Sequence, residues 1–279
     1  MPEPALQHTD VATAFNAIAP VFESRFENEV TAKIRGTIYE SIRKAAPLGS
    51  SILDINCGIG IDALALAAEG YSVTGVDLSP GMIDQAKRRA AMHPELKVEF
   101  LVSSFEDLAP LEGRTFDVVL SNFAGLNCTD SLHAVFPRIA KLLHPRGKFL
   151  AVAMPKASLW EIFAGLSRLR PGSAFRRFAR TVRATGFHQY SFDVHYHPLR
   201  RFLSASACWF DPVGIRALSL LSPPPHAQTF RNRFPGTSEL LDKLDDHLCS
   251  LPVLRGMGDH YFVMLQRNAA AVSERLRHE

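Results

Sequence analysis

The sequence comprises 279 residues, 47% of them hydrophobic and 21% charged, with a net charge of +3. Those proportions are typical of a globular protein, and so small a charge gives no indication of a nucleic-acid partner. The first thirty residues lack the apolar stretch of a signal peptide, and no apolar run reaches the roughly 20 residues of a membrane span. The four cysteines are widely separated, which predicts a cytoplasmic protein without a zinc site or a disulfide framework.

Residues 1–48 are predicted to form a helical lid. Apolar side chains recur there every three or four positions, as at Phe15, Ile18 and Phe22, which is the spacing of one helix face. Pro20 is expected to interrupt the first of two helical segments.

Residues 49–154 alternate between short apolar runs and helical patterns. The predicted strands are Ser51–Ile55, Tyr71–Val76, Lys97–Val102, Phe116–Ser121 and Lys148–Ala153. The predicted helices are Ile61–Glu69, Pro80–Ala91 and Ser131–Leu143. Such alternation indicates βαβ units with right-handed crossovers, and therefore an α/β fold with a doubly wound, mostly parallel sheet.

Residues 155–197 are predicted to form an arginine-rich cap insert. The pattern over residues 156–185 is helical, and a strand with alternating aromatic residues is predicted for Phe187–Tyr196. Helical spacing would place Arg176, Arg180 and Arg183 of the insert on one face. The arginines of this segment are Arg168, Arg170, Arg176, Arg177, Arg180 and Arg183.

Residues 198–279 are predicted to complete a seven-stranded sheet. Strands are expected at Val213–Leu221 and His260–Gln266, and helices at Pro198–Cys208 and Thr237–Cys249. A second insert at residues 222–258 would join the first insert and the N-terminal helices in a cap over the sheet.

A glycine loop follows the first predicted strand of the alternating region. Gly58 and Gly60 allow a tight turn and the close approach of a ligand, because they have no Cβ atom. Asp77 ends the next strand about twenty residues later, where a carboxylate can accept hydrogen bonds from both ribose hydroxyls of an adenosine. This pattern predicts an adenosine-containing ligand at the carboxyl ends of the strands.

Two classes of ligand fit this loop. Gly58, Gly60 and Ala63 satisfy the dinucleotide fingerprint, so an NAD(P)- or FAD-dependent oxidoreductase is one interpretation. Asp54 just before the glycines argues against it, because its charge would repel a pyrophosphate but attract a ligand with an ammonium group.

Four segments together resemble the motifs of class I S-adenosylmethionine (SAM)-dependent methyltransferases of the small-molecule type. They are Leu53-Asp-Ile-Asn-Cys-Gly-Ile-Gly60, Val73-Thr-Gly-Val-Asp77, Phe116-Asp-Val-Val-Leu-Ser-Asn122 and Leu142-Leu-His-Pro-Arg-Gly-Lys-Phe-Leu150. The stretch from Phe15 to Phe22 is similar to the lid helix of many such enzymes. The resemblance implies a Rossmann-like fold, SAM as cofactor and methyl transfer to a small molecule, on an oxygen, nitrogen or carbon atom.

The resemblance also implies the cofactor-binding residues. Asn56 stands where the family usually has a glycine, and we expect it to adopt the left-handed backbone conformation that asparagine tolerates. Ser104, within the segment after the third strand, stands where the family usually has the aspartate that binds adenine. The implied residues are Asp54, Asn56, Gly58, Gly60, Asp77, Leu78, Met82, Ser104, Phe105, Ser121 and Asn122.

The acceptor is expected to enter beside the fourth strand of this core. Phe22, Phe123 and Asn127 are predicted to contact it, with His195 or His197 as a general base. Arg176 and Arg180 either face this pocket, which would indicate an anionic acceptor, or form a solvated surface. Methyl transfer from a sulfonium needs no metal, and none is predicted. A SAM-binding module without catalysis is the remaining alternative, and the sequence leaves the oligomeric state open.

Overall fold

The computed structural model describes residues 7–8, 10–179, 181–187 and 189–268. Its helices are α1 (Val11–Ile18), α2 (Phe22–Phe26), α3 (Glu29–Ala45), α4 (Ile61–Ala68), α5 (Pro80–Ala90), α6 (Leu132–Lys141), α7 (Leu159–Ser167), α8 (Pro171–Ala174), α9 (Leu199–Ser206), α10 (Gln228–Arg233) and α11 (Pro235–Leu248). Its strands are β1 (Gln7–His8), β2 (Ser51–Asp54), β3 (Ser72–Asp77), β4 (Val98–Val102), β5 (Phe116–Ser121), β6 (Leu143–Ala153), β7 (Thr181–Phe187), β8 (Tyr190–His195), β9 (Phe210–Leu218) and β10 (His260–Arg267).

Seven strands form one sheet in the order β4-β3-β2-β5-β6-β10-β9. Strands β2 to β6 pair in parallel, and β10 is antiparallel to both of its neighbours. This confirms the predicted doubly wound, mostly parallel α/β sheet. The strand order changes direction at β2, between β3 and β5, and this switch point opens a crevice at the carboxyl ends of the strands.

The central strands are apolar because helices cover both faces of the sheet. Side chains alternate along β2, so that Ile52 and Leu53 enter different core clusters. One cluster contains buried side chains of α6 and α9, and the other contains those of α3, α4 and α5.

The N-terminal helices begin with well-defined caps. The Asp10 side chain accepts a hydrogen bond from the Thr13 amide at 2.7 Å, and Asn28 with Thr31 forms a capping box at the start of α3. Pro20 lies in a 3-10 turn between α1 and α2, as its position in the helical pattern predicts. On α1, Phe15 packs on two aromatic rings of the cap, with its ring centroid 5.2 Å from that of Phe187.

The helical prediction for residues 156–185 is wrong at its C-terminal end. The helical part ends in a 3-10 turn at Arg176–Phe178, and Thr181–Phe187 forms strand β7. β7 pairs antiparallel with β8, which pairs in parallel with β1, so the three strands form a small second sheet. Backbone pairing with β8 outweighs the helical spacing of the side chains. Arg176 and Arg183 therefore share no helix face.

The remaining boundaries differ only locally from those predicted. β9 begins at Phe210, earlier than expected, and includes Pro212. A proline is tolerated there because β9 is an edge strand, paired with β10 alone. No helix of the described residues has the length and apolar character needed to cross a membrane. The division of the chain at residues 48, 154 and 197 stays a prediction.

Candidate active site

A cavity of about 440 Å³ lies at the switch point of the sheet. Its floor is formed by residues that follow β2, β3, β4 and β5, and its cover by α1 and β8. Predicted site residues in its wall are Phe22, Asn56, Gly58, Asp77, Leu78, Ser104, Phe105, Asn122, Phe123 and His195.

The two loop glycines have different roles. Both have a positive φ, 52° at Gly58 and 80° at Gly60, which favours glycine. A Cβ atom on Gly58 would meet nothing within 4 Å, so this backbone faces open space in the cavity. A Cβ atom on Gly60 would lie 2.8 Å from Cζ of Phe100, so Gly60 allows the loop to pack on β4 and does not line the cavity.

Asn56 does not adopt the expected left-handed conformation, since it is absent from the positive-φ residues of the described chain. Its side chain instead joins the ends of β2 and β5. Nδ2 donates to the carbonyl of Asn122 at 2.7 Å, and Oδ1 accepts from Oγ of Ser121 at 2.6 Å. Ser121 is fully buried and outside the cavity wall. Gly125 leaves room for this contact, because a Cβ there would lie 2.3 Å from Cγ of Asn56.

Asp54 is buried beneath the glycine loop with one unsatisfied oxygen. Oδ1 accepts a long hydrogen bond of 3.4 Å from the Asn56 amide, while Oδ2 has no partner among the residues that the structure describes. Burial and the neighbouring Asp62 carboxylate raise the pKa of Asp54 well above its usual range. A buried carboxylate oxygen without a partner is suited to a cationic ligand group, such as the ammonium of SAM.

Asp77 is satisfied by the loop and also faces the cavity. Oδ2 accepts from the Gly58 amide and Oδ1 from the Ser79 amide, each at 2.9 Å. Burial raises the pKa of Asp77. The carboxylate has acceptor capacity left for ligand hydroxyls, because each of its oxygens can accept more than one hydrogen bond. The donors and acceptors at this site therefore fit the amino acid and ribose parts of SAM.

The other implied cofactor residues divide between wall and core. Ser104 and Phe105 line the cavity after β4, where Oγ of Ser104 accepts from the Glu106 amide at 3.0 Å. Leu78 is exposed at the rim. Met82 is fully buried in a cluster with Ile18 and does not reach the cavity, because its helix turns that side chain toward α1.

A buried polar network between α3 and α4 was not predicted from the sequence. Arg35 pairs with Asp62 and donates to Glu27 at 2.7 Å, and its Cζ lies 4.5 Å from the centroid of the Phe123 ring. Asp62 also accepts from the Tyr39 hydroxyl at 2.6 Å. Burial alone would lower the pKa of Arg35, but the carboxylates of Asp62 and Glu27 raise it above its usual value. Arg35 and Tyr39 lie four residues apart among apolar positions of α3, a signal that could have revealed them.

A second cavity of about 500 Å³ adjoins the first. The two share aromatic walls that include Phe15, Phe22, Phe123 and Phe192. Asn127 is at the edge of this second cavity but is almost fully buried. Its side chain donates to the His195 carbonyl at 2.6 Å and accepts from the Met154 amide at 2.9 Å, so it holds the cap against the end of β6.

The two histidines predicted as bases lie in different surroundings. His195 lines the first cavity, with Nδ1 3.2 Å from the hydroxyl of Thr181. His197 is buried outside both cavities, and its Nε2 lies 2.9 Å from the Thr129 carbonyl and 3.1 Å from that of Leu126. Burial lowers the pKa of His197. His197 is a neutral structural residue here, because its protonation would bury a charge.

Comparison with known proteins agrees with this geometry. The family model described as "Methyltransferase domain" matches residues 52–147, which carry the glycine loop and most of strands β2 to β6. Residues 52–147 of the chain are therefore similar to known methyltransferase domains.

Curated relatives and solved structures contain the same methyltransferase domain or fold. The ubiquinone biosynthesis O-methyltransferase of Xanthomonas campestris pv. campestris (strain B100) is 35% identical over 109 residues, 39% of this chain and 44% of that protein. The malonyl-(acyl-carrier protein) O-methyltransferase of Serratia marcescens is 31% identical over 114 residues, 41% of this chain and 42% of the relative. The chain thus spans less than half the length of these relatives. A geranyl diphosphate methyltransferase in complex with GPP and sinefungin shares the fold, with a TM-score of 0.56 at 18% identity over 95% of this chain and 89% of that one.

The arginine insert lies outside the matched methyltransferase domain. Arg176 is half-exposed, and its Nε donates to Glu161 at 3.1 Å. It lines neither cavity, so the first of the two predicted alternatives, an arginine that faces the pocket, is not observed for Arg176. Arg177 is buried, where it bonds Glu161 at 2.7 Å and Asp259 at 2.5 Å. Arg180 lies outside the described residues.

Proposed function

We propose that this protein transfers the methyl group of SAM to a small-molecule acceptor. The observation that carries the proposal is the buried, unpartnered Oδ2 of Asp54 at the end of β2, just before the loop in which the Gly58 backbone faces open space. A zwitterionic amino acid satisfies such a carboxylate, whereas a pyrophosphate would be repelled by it. The match to a methyltransferase domain supports the same conclusion.

Each part of the cofactor has a candidate partner: Asp54 is buried directly before Ile55 of the cavity wall, and the other partners line the wall itself. Asp54 would bind the ammonium group, the Gly58 backbone would contact the methionine part, and Asp77 would accept hydrogen bonds from the ribose hydroxyls. Ser104 and Phe105 would hold the adenine between a polar group and a ring face. When bound, SAM supplies an activated methyl group, so the protein's own task is to orient the acceptor and exclude water.

The acceptor would occupy the second cavity. This cavity is bordered by the N-terminal helices and the cap, and its volume suits a small molecule better than a protein or a nucleic acid. The names of the two relatives refer to different substrates or pathways, and their similarity is confined to about two fifths of the chain. Neither relative therefore identifies the acceptor of this protein or the atom that is methylated.

A cytoplasmic location stays an expectation, consistent with the four free cysteines.

Substitution of Asp77 tests the cofactor assignment. Each lost hydrogen bond to a charged acceptor contributes about 1.5–3 kcal/mol, so Asp77→Ala is expected to weaken SAM binding at least about tenfold. Isothermal titration calorimetry with SAM and S-adenosylhomocysteine measures this. Asp84→Ala is the matched control, because Asp84 is an exposed carboxylate on α5 and lines neither cavity. Unchanged affinity in Asp77→Ala would remove this residue from the site.

Ligand choice and turnover distinguish the alternatives. SAM at a hundredfold excess over its dissociation constant is expected to stabilise the fold by about 2.7 kcal/mol, with little effect from NAD. Equal stabilisation by NAD would favour the oxidoreductase interpretation. Formation of S-adenosylhomocysteine from SAM in the presence of candidate acceptors separates an enzyme from a SAM-binding module.

A further inference from the structure

An aspartate–histidine pair at the start of β10 forms part of the second-cavity wall. Asp259 and His260 both line the cavity, and Nδ1 of His260 lies 2.9 Å from Oδ2 of Asp259. Asp259 is buried, whereas the His260 side chain keeps 13% of its surface exposed. A neutral imidazole carries one proton, and the carboxylate beside Nδ1 favours the proton on that nitrogen. Nε2 is then the nitrogen that can accept a proton.

The Asp259 carboxylate is held ionised by its surroundings. Nη2 of Arg177 donates to Oδ1 of Asp259 at 2.5 Å, and Nη1 donates to the Asp259 carbonyl at 2.7 Å. Burial alone would raise the pKa of Asp259, but His260 and Arg177 keep it below its usual range. An ionised carboxylate next to an imidazole orients the ring and stabilises its protonated form.

The remaining wall of the second cavity exposes mainly apolar surface, to which six phenylalanine side chains contribute. Such a lining favours a flat, apolar molecule over a strongly charged one. The aromatic side chains are Phe15, Phe22, Phe26, Phe123, Phe187 and Phe192. Because four of these rings also line the first cavity, an acceptor held here would lie next to the space assigned to the cofactor.

We propose that His260 is the general base that removes the hydroxyl proton of an apolar acceptor bound in the second cavity, with Asp259 as its positioning residue. This inference rests on the proposed methyl transfer. The acceptor oxygen forms a bond to the methyl carbon as its proton passes to Nε2 of His260. The carbon–sulfur bond breaks with its electron pair left on sulfur, and the imidazolium later releases its proton to water. The balance requires no oxidant, reductant or additional reactant.

Charged groups around His260 come from the insert and from the N-terminal helices. Arg177 is compensated by two carboxylates, and Arg35 is likewise compensated by Glu27 and Asp62. His226 also lines the cavity but is exposed, with no carboxylate in hydrogen-bonding contact among the described residues. Besides Asp259, the titratable groups facing this region are Arg177, Glu161, His226, Cys128, Arg25, Glu27 and Arg35.

Two naphthols that differ in acidity test the proposal. General-base catalysis typically contributes about a hundredfold to ten-thousandfold, so His260→Gln is expected to lower kcat for 2-naphthol at least about a hundredfold. Its KM for 2-naphthol and its SAM affinity should change less than about threefold, because binding is retained. For 6-cyano-2-naphthol, whose hydroxyl ionises more readily, the loss should shrink to less than about tenfold. His93→Gln is the matched control, since His93 is exposed and lines neither cavity.

Binding of 2-naphthol provides a readout that does not depend on turnover. Fluorescence titration of the protein saturated with S-adenosylhomocysteine should give the same dissociation constant for wild type and His260→Gln. An equal loss of kcat on both naphthols would overturn the base assignment, and failure of 2-naphthol to bind would overturn the pocket assignment. Absence of SAM binding in calorimetry would instead contradict the proposed function, and this result is independent of the naphthol experiments.

Discussion

Two aspartates at the ends of neighbouring strands behave differently in the ligand-free site. Asp77 accepts two backbone hydrogen bonds, whereas Asp54 leaves one buried oxygen without a partner. A buried, unsatisfied charge destabilises a fold unless a ligand compensates it. Asp54 is therefore unfavourable for the stability of the free protein and favourable for the binding of a cation.

Asp54→Asn is expected to change stability and binding in opposite directions. Removal of the buried charge next to Asp62 should raise the free energy of unfolding of the ligand-free protein by about 1–3 kcal/mol. The same change should abolish most of the stabilisation by SAM, because asparagine offers its ammonium group no charge. Thermal unfolding with and without SAM measures both effects. A variant that is less stable than wild type without ligand, or that is stabilised by SAM as strongly, would contradict this assignment.

The stability gain in Asp54→Asn should also depend on pH. The raised pKa of Asp54 means that the folded state holds this proton more tightly than the unfolded state does. The wild type therefore loses stability as the pH rises above the ordinary carboxyl value of 3.8 and toward the raised value. The difference in free energy of unfolding between Asp54→Asn and the wild type should be small near pH 3.8 and should grow as the pH rises.

At the scale of elements, one buried arginine joins the insert to the sheet. Arg177, just after α8, bonds Glu161 on α7 and Asp259 beside β10. Its neighbour Arg176 is half-exposed and, among the described residues, bonds Glu161 alone. The two consecutive arginines are therefore expected to contribute unequally to stability, because removal of the buried Arg177 leaves two carboxylates uncompensated.

Arg177→Gln and Arg176→Gln form a matched pair that tests this difference. Breaking a buried ion pair costs about 3–5 kcal/mol, so Arg177→Gln should lower the free energy of unfolding by that order. Arg176→Gln should lower it by about 0–1 kcal/mol, as expected for an exposed pair. Urea unfolding of both variants measures the difference. Equal effects of the two changes would show that Asp259 and Glu161 do not depend on Arg177.

The sequence predicted the elements whose stability comes from local pattern. The apolar runs of β2 and β5 and the glycine loop between β2 and α4 are found where they were predicted, because a strand covered on both faces has few alternatives. β7 was missed because its pairing with β8 is a tertiary interaction that overrides helical spacing.

Only the part of the site that lies in recognisable sequence motifs could be predicted. Asp54, Gly58 and Asp77 lie in segments with recognisable spacing; Gly58 and Asp77 line one cavity, and Asp54 is buried directly before Ile55 of its wall. Arg177 could not be assigned, because its partner Asp259 is 82 residues away in the sequence. The position of His260 next to the aromatic wall likewise depends on how β10 inserts between β6 and β9.

At the scale of the whole molecule, the first cavity lies between two sheets. The large sheet provides the glycine loop, and the small sheet closes over it with Phe192 of β8 and, through α1, with Phe15. A ligand in this cavity would contact both layers. Its binding energy should therefore oppose any local opening that separates α1 and β8 from the large sheet.

Hydrogen exchange with and without S-adenosylhomocysteine tests this coupling. At a hundredfold excess over the dissociation constant, opening reactions that release the ligand become about 100-fold rarer, equivalent to about 2.7 kcal/mol. Backbone amides of α1 and β8 should therefore exchange up to about 100-fold more slowly with ligand. Helix α11 is the internal control, because it contributes no residue to either cavity and its local opening should be unaffected. If α1 and β8 exchanged at the same rate in both states while the ligand was bound, the small sheet would not be a cover of the site, and the ligand would be held by the large sheet alone.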